Sequence, residues 1–224
     1  MKISALNNIQ QVKHNNSSFQ KSFKMNNDSF EPSFKGVLSD PDRKFWDSII
    51  EKYIEFRKEQ HEKSLPHNLS DKQLNSAVRA HGEEYLESLK TREEKEYFLT
   101  LMARTFEGEP LSGYSQTLSA YEANLIIVKG IEDVQQYIDL VTPDKNYESK
   151  LGLSRVLGRY EAGELMEAGV EDYQAYIDLV DKDKNHKSIS GYSRVLTTKE
   201  AVQVLSEGIK DIQAFIDEQD VKNK

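Results

Sequence analysis

Three histidines, His61, His67 and His81, stand among glutamates in the middle of the chain. Imidazole beside carboxylate is the pairing used for proton transfer or for holding a metal. Glu59-Gln60-His61-Glu62 sets carboxylates next to one of them, but no second ligand follows at a helical spacing such as H-E-x-x-H. Arg79, His81, Glu83 and Glu84 are chemically able, yet their spacing assigns them no roles. There is no cysteine, which removes thiolate ligands, cysteine nucleophiles and disulfides. Glycine-rich phosphate loops and G-x-S-x-G elbows are missing too. The sequence therefore names no catalytic residue, no metal ligand and no cofactor, and an enzyme would rest on residue availability alone.

Two further patterns carry charge in an ordered way. Asp181-Lys182-Asp183-Lys184-Asn185 opens like a calcium loop, D-x-D-x-N. An EF-hand then needs glycine sixth and a bidentate glutamate twelfth, where this chain has His186 and Tyr192. Three lysines around it also oppose a cation, so the segment reads as a solvated turn. The second pattern is a set of i, i+4 pairs: Gln135/Asp139, Gln174/Asp178 and Gln213/Asp217. On helices these form a row of polar side chains. Structurally, they are expected to hydrogen-bond the loops of neighbouring repeats. Functionally, they would line an acidic groove for a basic partner or a peptide.

The elements that position these residues come from a repeat. Segments beginning at Gly113, Gly152 and Gly191 are 39 residues apart, and the first two agree at 19 of 39 positions. Self-similarity at fixed period marks a stacked-repeat architecture. Ser119-x-x-Glu122, Gly158-x-x-Glu161 and Thr197-x-x-Glu200 fill one slot, two as full capping boxes and one as a weaker cap. Ala123, Ala162 and Ala201 follow on a closely approached face, and Gly130, Gly169 and Gly208 are expected as left-handed helix stops. Asp133, Asp172 and Asp211 fall in the first turn of a second helix, whose core contacts are Tyr137/Ile138, Tyr176/Ile177 and Phe215/Ile216. The expected fold is all-α: three helical hairpins over 113–151, 152–190 and 191–224, a solenoid-like array. The period matches neither tetratricopeptide nor ankyrin units, and HEAT-type helices are longer. Glu218-Gln219 replaces Leu-Val in the last copy, as an uncovered terminal face requires. Leu125 and Val128 are apolar where later copies are polar, so the first copy needs cover, from the preceding section or from another protein.

Residues 37–112 read as a helical capping section. Ser39-Asp40-Pro41-Asp42 starts a helix whose stripe is Phe45, Trp46, Ile49, Ile50, Tyr53 and Ile54 over 41–63. A capping box at Ser70 opens a second helix that Gly82 is expected to end. Another at Thr91 opens a third, with Tyr97, Phe98, Leu101, Met102 and Phe106 inward and Gly108 and Pro110 closing it.

Residues 1–36 differ in kind. They hold six Asn, six Ser and three Gln, and carry a net charge of +3 against −4 for 37–112 and −7 for 113–224. Such composition predicts a disordered tail. Four Ser-Phe steps, placing Phe19, Phe23, Phe30 and Phe34, punctuate it as candidate docking anchors. In its Ser/Asn richness the tail resembles the non-cleaved export signals of injected bacterial effectors. That resemblance implies export of the protein through the tail.

The formal net charge of −8, with the aspartates on the second helices, has the wrong sign for nucleic-acid phosphates. No apolar run approaches membrane-spanning length, and no cleavable secretory signal opens the chain. The favoured function is a soluble, non-enzymatic protein–protein interaction or scaffold protein, cytoplasmic, that binds another protein or peptide through its helical-repeat surface. The alternative is a secreted or injected bacterial effector with an unidentified activity in 37–112.

Overall fold

The computed structural model describes residues 40–222, with side chains from residue 43 onward. The tail, its four phenylalanines and Ser39 lie outside the described residues. Among those described, ten α-helices and no strands are found, so the described part of the chain is all-α. The helices are α1 (Asp40–Lys63), α2 (Asp71–Arg79), α3 (Glu83–Ser88), α4 (Arg92–Met102), α5 (Ala120–Lys129), α6 (Val134–Val141), α7 (Arg159–Glu167), α8 (Tyr173–Val180), α9 (Thr198–Glu207) and α10 (Ile212–Lys222). No helix among the described residues is long and apolar enough to cross a membrane.

Contacts divide the chain between Asp47 and Ser48. In the first part, Phe45 and Trp46 meet edge to face at 5.7 Å. The second part carries one core, which runs from Leu74 and Phe98 through Ile126, Tyr137 and Leu165 to Tyr176 and Ile216.

Local chemistry explains where the helices begin and end. The Ser119 amide donates to Glu122 at 2.9 Å and the Thr197 amide to Glu200 at 2.8 Å, while each hydroxyl accepts from the glutamate's own amide. Gly158 has no hydroxyl to offer, but its amide still donates to Glu161 at 2.6 Å. At the other end Gly130, Gly169 and Gly208 have φ of 63°, 66° and 65°. The amides of Ile131, Val170 and Ile209 then reach back to Ile126, Leu165 and Val204, each at 2.9 Å, closing a Schellman motif. Ala123, Ala162 and Ala201 of α5, α7 and α9 are fully buried, and α5 contacts α7 as α7 contacts α9.

Three loops share one backbone pattern. Antiparallel bridges join Arg104 to Pro110, Pro143 to Ser149 and Lys182 to Ser188. The amides of Leu118, Leu157 and Leu196 donate to the carbonyls of Leu101, Leu140 and Leu179 at 2.9–3.0 Å. The earliest of these loops precedes Gly113, so this bonding begins inside the segment read from sequence as a separate section. Its tip positions are Gly108, Tyr147 and His186, all at positive φ. Glycine takes that conformation freely, whereas Tyr147 and His186 are held in it by the surrounding bonds.

Several details differ from the sequence reading. The helix opened by Ser70 ends at Arg79, and Gly82 precedes α3 instead of terminating α2. At six residues, α3 is too short for a periodic signal. Phe106 lies beyond the end of α4, which stops at Met102 before Gly108 and Pro110 are reached. Asp133 and Asp172 are N-caps outside the first turn, accepting from the amides of Gln136 and Ala175 at 2.8 and 2.9 Å; Asp211 accepts likewise from Ala214 at 3.0 Å. Leu125 fits against Gly163 of α7, where an added Cβ would come within 2.9 Å of it, while Val128 stays exposed. On α1, Phe45, Trp46, Ile49 and Tyr53 are exposed, so periodicity identified the stripe but not a cover for it.

Nothing lies within 4 Å of a Cβ built on Gly169, so substitution there isolates the cost of the left-handed backbone. Gly169→Ala is expected to lose about 1–2 kcal/mol in urea melts, and Gly169→Val more, because β-branching tolerates positive φ least. Equal, negligible losses would show that the left-handed stop is not required.

Candidate functional site

The row of Gln/Asp pairs lies on α6, α8 and α10, and each glutamine makes the same three bonds. Gln135 Oε1 accepts from the Ser115 amide at 3.0 Å, and its Nε2 donates to Ser115 Oγ at 3.0 Å and to Asp139 Oδ1 at 3.1 Å. Gln174 does this with Ser154 and Asp178 at 2.9, 3.1 and 2.7 Å. Gln213 does so with Ser193 and Asp217 at 3.0, 2.9 and 2.8 Å. The partners belong to the loop 20 residues earlier in the same 39-residue segment. This corrects the expectation that the pairs bind loops of neighbouring repeats. The serine two residues after each segment's glycine was the available signal.

The glutamines are thus committed to holding their own loops. Each aspartate accepts from the Nε2 of its glutamine and so helps to orient the amide that grips the serine. Asp139 and Asp178 are half-buried and Asp217 is exposed. Lys150 approaches Asp139 Oδ1 at 3.3 Å. What the row offers chemically is three carboxylates on corresponding helices.

A second network escaped the sequence reading. Arg155 forms a two-pronged pair with Glu161, both bonds 2.8 Å, and also donates from Nε to Asp181 at 2.8 Å. Arg194 repeats this with Glu200 at 2.8 and 3.0 Å and with Asp220 at 2.9 Å. The shared Ser-Arg-Val-Leu at 154–157 and 193–196 was its trace in the sequence. In the first segment Gln116 takes the arginine's place and bonds Thr142 at 3.0 Å. Glu122 is instead paired by Arg159 from the following segment at 2.7 Å.

Electrostatics follow this geometry. The Arg194 hydrogen bonds hold Glu200 down to about 2, against desolvation. Burial works to raise Glu161, but bonds from Arg155 and the Gly158 amide outweigh it and lower its pKa. Tyr176 is pushed upward chiefly by burial; its hydroxyl donates toward Glu161 and lies 3.0 Å from both Glu161 and Thr198. Tyr137 occupies the corresponding slot and is fully buried, but its hydroxyl has no partner among the described residues.

The remaining candidates are scattered. His61 and His81 line one cavity of about 250 Å³ with Leu65, Pro66, Leu99 and Met102. His61 stands edge-on to Phe106 at 6.0 Å, and His81 to Phe98 at 6.0 Å. His67 is exposed, 3.9 Å from Glu62, and does not line that cavity. In the calcium-like loop, Asp183 Oδ1 accepts from the amides of Asn185 and Lys187 at 2.8 and 2.9 Å, so the carboxylate serves the turn. Asp144 does the same for Asn146 and Glu148. Among the described residues no three His, Cys, Asp or Glu side chains group as metal ligands.

Comparison of the chain with protein-family models, with curated proteins and with solved structures gave no match.

Two outcomes are expected. Tyr137→Phe removes an unpaired buried hydroxyl and leaves stability unchanged or higher, whereas Tyr176→Phe lowers it by about 1 kcal/mol; equal losses in chemical melts would contradict the bonding described. Glu200 is lowered in the fold, so its contribution is complete above about 4.5 and lost as pH falls toward about 2. Glu200→Gln should flatten the stability-versus-pH curve in that window, and an unaltered slope would contradict the pairing.

Proposed function

We propose that the chain is a non-enzymatic interaction scaffold, in which 39-residue helical hairpins stack and present the aspartate row to a partner protein or peptide of basic character. Several contacts support stacking. Lys129 of α5 bonds Glu164 of α7 at 2.7 Å and also pairs with Glu167. Arg159 reaches back to Glu122, and α7 packs on α9. Because the loop at 104–110 carries the same bridge as those at 143–149 and 182–188, we extend the array's first joint back to α4. Residues 37–112 would then supply both a cap and the first of the joints.

The observation that carries the functional reading is the recurrence of a carboxylate at one place in three segments. Each loop is already held by glutamine, yet a carboxylate recurs beside it at positions 139, 178 and 217. A row of like charges is unfavourable for the isolated chain and favourable once a cation row lies against it.

The test is calorimetric titration of the full chain with a lysine-rich peptide, beside the Asp139→Asn/Asp178→Asn/Asp217→Asn variant. The expected result is binding that weakens with salt and falls by about tenfold or more in the variant. Far-UV circular dichroism should be unaltered. Equal affinity for both proteins would refute the aspartate row as the binding face.

A further inference from the structure

Away from the aspartate row, the last turn of α1, the turn that follows it, α2 and α4 surround the cavity of about 250 Å³. Most of its lining is apolar: Leu65 and Pro66 come from the turn, Ala77 from α2, and Leu99 and Met102 from α4. Leu65, Pro66 and Leu99 are buried, while His81 and Arg104 are exposed and stand where the cavity meets water. Side chains that face a hollow forfeit dispersion contacts there, and an apolar ligand restores them. A cavity of about 150 Å³ accepts benzene. This one therefore has room for a single ring and a short arm, a size proper to small-molecule sites between helices.

The polar part of the lining has one sign. His61, His81 and Arg104 line the cavity, and no carboxylate does, in a chain of formal net charge −8. The acidic groups nearby in sequence are held elsewhere. Glu59 pairs with Lys63 at 2.6 Å, Glu62 lies 3.9 Å from His67, and Arg79 bonds Glu83 at 2.7 Å. Glu84 folds back over Gly82, and Glu109 is exposed outside the lining. Glu107 is near enough to feel a charge on His61, and Lys58 offsets it from 3.4 Å. The Ser64 hydroxyl is already donated to the His61 carbonyl at 2.6 Å. Arg104 Nη1 donates to the Gly108 carbonyl at 2.6 Å, which fixes the guanidinium in the lining with its other nitrogens unpaired among the described residues. His61 Nε2 is buried with no partner among the described residues, a cost that a hydrogen-bonding ligand recovers. We infer that this cavity binds a small monocarboxylate whose apolar body is about one ring in size. Its carboxylate meets the Arg104 fork, whose geometry matches it, and the imidazoles add donors. Its apolar body lies against Leu65, Leu99 and Met102.

The test uses the full chain and phenylacetate, with phenylacetamide as the uncharged control of the same shape. Affinity is read by titration calorimetry, and the place of binding by the imidazole proton signals of the histidines. The carboxylate is expected to bind at least about tenfold more tightly than the amide, as a charge-assisted hydrogen bond requires. The signals of His61 and His81 should shift, while those of His67 and His186, which do not line the cavity, stay in place. Arg104→Gln, at an exposed position, should lose about tenfold for the carboxylate and little for the amide. Ala77→Leu fills the hollow and should abolish binding, with far-UV circular dichroism unaltered. Absence of binding, equal affinity for the amide, or equal binding by Ala77→Leu would overturn the proposal. So would an unchanged preference for the carboxylate in Arg104→Gln. Shifts at His67 or His186 without shifts at His61 and His81 would overturn it as well, by placing the ligand elsewhere.

Discussion

A glutamate at the third position of each first helix is the constraint on which the described fold depends. Glu122, Glu161 and Glu200 each accept from the backbone amide that opens the helix. Glu122 is buried to 5% exposure and the other two are partly buried, and a desolvated carboxylate must be paired. Arg155 and Arg194 do this from within their own segments, and through Asp181 and Asp220 they fasten the far end of the second helix to the same charge. Where Gln116 replaces the arginine, Arg159 comes from the next segment and the pairing crosses between segments. One carboxylate therefore fixes a helix start, a loop and, in the first segment, the approach of a neighbour.

This division of labour sorts the polar side chains by what each of them holds. Capping glutamates, cap aspartates and loop-binding glutamines are all committed to backbone amides or buried partners. Asp139, Asp178 and Asp217 accept from those glutamines and carry their charge at partly or fully exposed positions, while Ile49, Tyr53 and Phe56 of α1 are exposed apolar side chains.

Much of this was legible from residue spacing. Capping boxes, the three left-handed glycines and the buried Tyr/Ile pairs announce themselves locally, because each answers a short-range demand of the backbone. The loop at 104–110 was not legible. Its tip is Gly108 where later copies have Tyr147 and His186, and it bonds through Thr105 where they use aspartate. The backbone bridge is shared there while side-chain identity is not, and a residue-by-residue comparison does not register that. The Arg–Glu forks span six residues in sequence and close only when the loop folds back, which helical periodicity cannot register. On α1 the stripe was visible, but amphipathicity does not say whether a face is covered by the same chain.

The most direct test of this account is a double-mutant cycle in urea between Arg155 and Glu161, using Arg155→Met and Glu161→Gln alone and together. Glutamine at position 161 keeps the cap and removes the charge. If the paired carboxylate is what joins helix start to loop, the cycle should give a coupling of about 1–3 kcal/mol. Losses that add to within about 0.5 kcal/mol would contradict it and reduce the fork to an incidental contact.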